Sequence, residues 1–242
     1  KKNAVAANQL DESRVRVLPN ALEWTDEPAA SSFSPVSGPR LLSVCRLERN
    51  EQYKGVDTTL RALAKIAPKI PDLHYVVVGD GSDLARHMEL ANELGVADRV
   101  EFTGSVSDEA LRSYYRDCDL FVLPSAAEGF GFVFLEAMHY GKPIIAANSG
   151  ATPEVVRDRE TGLLVEYGNV EQLANAITWL CRDANLRRLL GAAGKIRLQE
   201  NFTFNHFRER FGKIVSRELG LKTAGMQAQG QTRSYFSRGA AS

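Results

Sequence analysis

Apolar positions along this chain change period in a regular way. Short β-rich apolar runs fall at Leu41–Leu47, His74–Val78, Val100–Thr103, Leu120–Leu123, Pro143–Ala147 and Leu163–Val165. Between most of them the spacing lengthens to that of a helix with one buried face. Leu60, Leu63, Ala64 and Ala67 form one such stripe, Leu84, Met88, Ala91 and Leu94 a second, and Leu173, Ala176, Ile177 and Leu180 a third. Asn169, with Gln172 three residues on, reads as a capping box opening the third helix. Strands that alternate with helices build βαβ units, so the pattern predicts a Rossmann-like, doubly wound α/β domain over residues 39–200, its parallel sheet covered on both faces.

The flanks read differently. Val15–Leu18 is a short strand-like run ending at Pro19-Asn20, and residues 26–39 hold three prolines and four serines, the composition of a linker. Residues 1–38 are therefore a leading segment and linker. From Asp183 to Leu219 the chain is helix-like, with Phe202, Phe204, Phe207 and Phe211 as apolar anchors and a C-terminal helix expected over 201–220; residues 221–242 are polar and small, and expected to be disordered.

Composition narrows the function classes. The 242 residues carry 30 Lys+Arg against 30 Asp+Glu, so no broad basic face is available for nucleic acid or an anionic membrane. Apolar stretches such as Phe121-Val122-Leu123 are far too short to span a bilayer, and the first residues lack a signal peptide's apolar core. Cys45, Cys118 and Cys181 are odd in number and scattered, giving neither a disulfide framework nor zinc spacing, which points to a soluble, reducing compartment. The four histidines, His74, His87, His139 and His206, have no metal or triad partner at a useful spacing and read as structural or surface residues.

In an open α/β sheet ligands bind beyond the carboxyl ends of the strands, so the segments after each strand are where chemistry belongs. After the first, Arg46 and Lys54 flank a strand–helix turn closed by Gly55; two cations at a helix start suit a diphosphate, though such a pair in isolation reads more simply as solvated surface charge. Val78-Gly79-Asp80-Gly81-Ser82 lacks the third glycine of a dinucleotide fingerprint, since position 84 is Leu84, and reads better as a tight turn. Thr103-Gly104-Ser105-Val106, before a helix start at Ser107-Asp108-Glu109, can offer main-chain groups to a flat heterocycle. The richest segment is Leu123-Pro124-Ser125-Ala126-Ala127-Glu128-Gly129-Phe130-Gly131, running into an apolar helix that contains Glu136. A carboxylate on so apolar a stretch needs a partner, either an ion pair or the vicinal hydroxyls of a ribose. Glu128 with the Gly129, Phe130 and Gly131 amides makes a polar wall for a hydroxylated ligand. Nothing in the spacing opposes the two glutamates across a bond as a hydrolase would require.

Taken together, Ser43-Val44-Cys45-Arg46-Leu47…Lys54-Gly55, Val78-Gly79-Asp80-Gly81, Val100–Gly104, Pro124-Ser125…Glu128-Gly129-Phe130-Gly131…Leu135-Glu136-Ala137, Gly141-Lys142-Pro143, Pro153-Glu154-Val155 and Thr161-Gly162-Leu163-Leu164 resemble, in order and spacing, the group 1 (family 4) glycosyltransferases of the two-domain GT-B type. The resemblance runs over about residues 15–215 and includes the E-x7-E signature from Glu128 to Glu136. It implies the C-terminal, nucleotide-sugar-binding half of a retaining hexosyltransferase. Arg46 and Lys54 would hold the donor diphosphate and stabilise the departing nucleotide, and Glu128 would contact the donor sugar beside the Phe130 and Gly131 amides. Glu136 would take the ribose hydroxyls, and the main chain at Val106 the base. Arg46, Lys54 and Glu128 are the expected catalytic residues. No cofactor and no bound metal are implied, the nucleotide-diphosphate sugar being a co-substrate. The resemblance also implies a cytoplasmic enzyme of carbohydrate biosynthesis, with any peripheral membrane contact made through its other half.

The departures matter as much. Cys45 stands where the family usually has glycine, the insert Glu48–Tyr53 between Arg46 and Lys54 is longer than in many members, and Gly150-Ala151-Thr152 replaces a common glycine pair. The family's N-terminal acceptor-binding domain, which would hold a carbohydrate or lipid-linked acceptor, is expected to be absent, with Val17–Asn20 resembling the hand-over from it. In such enzymes the C-terminal helices cross back to that domain, so part of the phenylalanine face is expected to be bare. Two other readings stay open: a nucleotide-sugar epimerase on the same fold, and a non-catalytic nucleotide-sugar-binding module.

Overall fold

A computed structural model of the chain describes residue 8, residues 11–24 and residues 38–219. It divides into two compact units, Pro19–Phe207 and a smaller one made of Lys1–Leu18 with Arg208–Ser242. Most of the expected linker and the expected disordered tail lie outside the described residues.

The larger unit is a six-stranded, wholly parallel sheet whose strands, counted along the chain, stand in the order third, second, first, fourth, fifth, sixth. The strands are β1 (Arg40–Val44), β2 (His74–Val78), β3 (Val100–Gly104), β4 (Leu120–Leu123), β5 (Ile144–Ala147) and β6 (Gly162–Val165), within a residue or two of the apolar runs except that β1 stops at Val44, before Leu47. Helices α1 (Val56–Ile66), α2 (Leu84–Glu93), α3 (Asp108–Asp117), α4 (Phe132–His139), α5 (Thr152–Val155) and α6 (Val170–Arg182) connect or follow them, before α7 (Ala184–Asn201) and α8 (Phe204–Glu218). Alternate residues of each strand feed opposite faces. Leu41, Val77, Val122 and Ile145 pack with α1 and α6 through Leu60, Leu63, Leu173 and Ile177. Leu42, Val76, Phe121 and Ile144 pack on the other side with Tyr115, Phe134, Leu135 and Met138. Both faces are apolar because both are covered.

Local signals explain the helix ends. Asn169 accepts from the Gln172 amide at 3.0 Å as a capping box requires, but Gln172 reaches back to the Glu166 amide instead of that of Asn169. Ser107 caps α3 at the Ala110 amide. Two expectations are corrected. Val15–Leu18 belongs to no strand of the described residues and Val17 is exposed, because β propensity alone, without a paired ladder, does not make a strand. Met88 is 49% exposed; the buried stripe of α2 is His87, Leu90 and Ala91, since Asp57 and Asp83 supply His87 with polar partners inside. Of the phenylalanines, Phe202 is buried, whereas Phe204 and Phe211 are about half exposed.

The motif Gly141-Lys142-Pro143 has a structural reason. Lys142 Nζ donates to the carbonyls of Arg116 and Cys118 at 2.6 and 2.7 Å, closing the end of α3. Gly141 also lies backbone to backbone against Gly191 of α7, where an added Cβ would stand 1.9 Å from the Gly141 carbonyl oxygen. Gly191→Ala should therefore cost about 2–3 kcal/mol in chemical denaturation, the upper range for overpacking against a rigid neighbour. Gly212→Ala on α8, where a methyl meets nothing within 4 Å, should leave stability unchanged or raise it by up to about 1 kcal/mol.

Candidate functional site

The strand order reverses between β1 and β4, and the loops leaving their carboxyl ends meet at the topological switch point, where ligands of open α/β sheets bind. Those are the loops that carry Arg46 to Gly55 and Pro124 to Gly131. They are fastened to one another by main-chain contacts. The Ala126 amide donates to the Tyr53 carbonyl at 2.8 Å, and Gly55, at φ +80°, sits so close to Pro124 that an added Cβ would lie 2.5 Å from its carbonyl oxygen. Glycine is required there on both counts. Ser149 Oγ holds the Ala126 carbonyl at 2.5 Å from the third side.

Across this junction Lys54 Nζ donates to Glu128 Oε1 at 2.9 Å, joining residues 74 apart in sequence. The two side chains are only 16% and 9% exposed. An ion pair so shielded is felt far more strongly than a surface pair, and it leaves Glu128 Oε2 for other donors.

Arg46 is disposed differently. Arg46 Nη2 is engaged by Glu51 Oε1, inside the insert, and its side chain is 75% exposed. The insert folds as a 3-10 segment, Arg49–Lys54, and is tied down by the turn after β2. Glu48 accepts from the amide and hydroxyl of Ser82, Arg49 contacts Ser82, and Gln52 donates to Asp83 at 3.2 Å. Leu47 exchanges main-chain hydrogen bonds with Asp80 and Asp83. Arg86 bridges Asp83 to Asp57 at the start of α1. The Gly79–Asp83 turn thus serves as an anchor for the insert, in keeping with its reading as a tight turn.

Glu136 projects from α4, and its partner is Tyr115 of α3, whose hydroxyl donates to Glu136 Oε2 at 2.7 Å. Tyr115 is fully buried, stacked between Phe121 and Tyr140 and met edge-on by Trp24. Burial pushes the Glu136 carboxyl above its ordinary value of 4.5, the Tyr115 hydroxyl draws it part of the way back, and the charge of Asp108 pushes it up again. Nearby, Phe130 packs edge-on against Phe132 and Phe202, Gly129 is exposed, Gly131 is the N-cap of α4, and half-buried Val106 packs against the same core as Phe130. Cys45 lies where three charges reach it: burial pushes its thiol up to about 12, with Lys54 opposing and Glu128 and Glu51 adding to the rise.

Tyr115 and Glu51 were not singled out in the sequence. Tyr115 sits 21 residues from Glu136 on another helix, a separation that carries no periodic signal, and Glu51 reads as one more polar residue of an insert. Among the described residues no cluster of three or more His, Cys, Asp or Glu is arranged to hold a metal ion, the three cysteines are free, and no helix is long and apolar enough to cross a membrane.

A carboxyl whose folded value is raised binds its proton more tightly in the native state, so stability falls as pH rises above the unfolded value. Glu136→Gln should accordingly raise the thermal midpoint of the nucleotide-free chain at about pH 7, and the gain should vanish below about pH 4, where the parent carboxyl is protonated folded or unfolded. Thermal scans across that range check it; a gain independent of pH would show that charge is not its cause.

Comparison with known proteins gives the arrangement its setting. The family model described as glycosyl transferases group 1 matches residues 27–197. The GDP-mannose-dependent alpha-(1-6)-phosphatidylinositol monomannoside mannosyltransferase of Mycobacterium tuberculosis H37Rv is 39% identical over 165 residues, 65% of this chain and 43% of that protein. The chain thus spans less than half the length of this relative. Among solved structures, sucrose-phosphate synthase of Thermosynechococcus elongatus superposes with a TM-score of 0.77 at 30% identity, covering 90% of this chain and 56% of that one. Anabaena HepE in complex with UDP-glucose superposes with a TM-score of 0.68 at 26% identity, over 75% of this chain and 49% of that one. The Rossmann-like sheet is that of the GT-B glycosyltransferases, and with more than half of its length matched by the family model the chain belongs to the group 1 glycosyltransferases.

Proposed function

We propose that this chain binds a nucleotide-diphosphate sugar and serves as the donor-binding domain of a retaining hexosyltransferase whose acceptor is held by a separate domain. The observation that carries this reading is the shielded Lys54–Glu128 pair, fixed at the switch point between β1 and β4. It sets a cation for a leaving phosphate beside a carboxylate for a sugar hydroxyl. The M. tuberculosis relative is described as GDP-mannose-dependent and the Anabaena protein holds UDP-glucose, so a nucleotide-diphosphate sugar is the donor class that both support.

In this reading the Lys54 ammonium and the Arg46 guanidinium take the diphosphate, and the free N–H groups at the start of α1 add to their attraction. Glu128 and the amides of Phe130 and Gly131 orient the sugar. Glu136 accepts the ribose hydroxyls through Oε1, with Oε2 already held by Tyr115. The Val106 main chain faces the base. During transfer the bond from the anomeric carbon to the diphosphate breaks and one from the acceptor oxygen forms on the same face. The acceptor's proton passes to the departing diphosphate oxygen. The protein's part is to position the donor and to stabilise charge on the leaving group, and no protein-bound metal is required for either.

Lys54→Ala and Glu136→Ala should each weaken donor binding by about 1.5–3 kcal/mol, the scale of charge-assisted hydrogen bonds, or roughly ten- to a hundredfold in Kd. Calorimetric titration with UDP, GDP and ADP and their sugar conjugates measures this and identifies the donor series. Parent-like binding of every nucleotide by both variants would remove the site assignment.

A further inference from the structure

Both cations assigned to the diphosphate are already paired with carboxylates: Lys54 with Glu128 and Arg46 with Glu51. The four formal charges cancel. Glu128 has a role in the donor reading, whereas Glu51 has none, and its surroundings are unusual. Its side chain is only 10% exposed. One carboxylate oxygen takes Arg46, and the other is buried with no hydrogen-bond donor of the described residues against it. Half-satisfied buried carboxylates are costly, so Arg46 is the contact that makes this one tolerable.

Glu51 also cannot withdraw. It lies at a kink in the 3-10 segment Arg49–Lys54, whose flanks are pinned to the 80–83 turn by Glu48, Arg49 and Gln52. Arg46 can move, because its side chain is largely exposed and Glu51 is its only ion-pair partner among the described residues. Any anion that draws Arg46 away leaves Glu51 with neither oxygen partnered. Glu51 and Lys54 stand in one short segment, and Lys54 reaches Glu128 across the switch point.

We infer that Glu51 is an internal competitor for Arg46, a fixed carboxylate that holds the guanidinium when no donor is bound and opposes its transfer to a nucleoside diphosphate. This rests on the donor reading and extends it. Glu51 thereby loosens the hold on the diphosphate, favouring departure of the nucleoside diphosphate left after transfer. A residue that merely positioned Arg46 for the diphosphate would act in the opposite direction.

The test uses the whole 242-residue chain and UDP, GDP and ADP as probes. Glu51→Gln keeps the shape and an oxygen acceptor for Arg46 while removing the charge, and should tighten binding of whichever diphosphate the parent prefers by roughly three- to tenfold. Glu51→Ala should act in the same direction, and thermal unfolding verifies that both variants fold. In an Arg46→Ala background the gain from Glu51→Gln should shrink to less than about twofold, because the competition acts through Arg46. Unchanged or weaker binding in Glu51→Gln would overturn the inference, as would a gain that persists undiminished without Arg46. If the parent binds none of the three diphosphates, the donor reading falls and this inference with it; binding by the parent without tightening in the variants removes the inference alone.

Discussion

The ion pair between Lys54 and Glu128 depends on two loops meeting at the point where the sheet changes direction, and much of the molecule serves that meeting. β1 and β4 run side by side in parallel, so their loops leave the same edge of the sheet. Gly55 lets them touch, the Ala126 amide and the Tyr53 carbonyl lock the contact, and Ser149 braces it from the loop after β5. Hydrophobic burial on both faces supplies the stiffness that keeps strands so short in register. Without it, a lysine and a glutamate 74 residues apart would have no fixed separation.

How much of this could be read beforehand depends on range. The six apolar runs and the stripes of α1 and α6 are local patterns, and burial on both sheet faces made them continuous enough to recognise. The start of α3 at Ser107 and of α6 at Asn169 rested on caps a few residues long. Met88 misled because apolar spacing alone does not reveal that Asp57 and Asp83 make a buried place for the neighbouring His87. For Val15–Leu18, β propensity describes a residue's fit to a sheet, and the run is part of no strand of the described residues. Within the site, Glu136 was legible as a carboxylate that needed a partner, and Lys54 and Glu128 as charges placed after strand ends. The partners themselves, Glu128 for Lys54 and Tyr115 for Glu136, come from other elements, and only the fold brings them near.

Glu136 illustrates the tension between stability and use. A carboxylate set into an apolar helix is held by a single buried hydroxyl, with burial working against its charge. The aromatic packing of Trp24, Tyr115, Phe121 and Tyr140 fixes that hydroxyl's direction, so the orientation of a polar contact is determined by stacking between rings. In the donor reading proposed above, ribose hydroxyls reaching the second carboxylate oxygen would offset that cost.

The junction between the two loops has a further consequence for how this surface can change. The Ala126–Tyr53 link joins an amide to a carbonyl, so it is blind to the side chains at either position. Substitutions at exposed Ala127 and Gly129 can reshape the surface around the junction while the spacing between ammonium and carboxylate stays as it is. The main chain acts as a jig, and the variable faces are mounted on it. A fold fastened in this way can alter what it selects without altering where its charges stand.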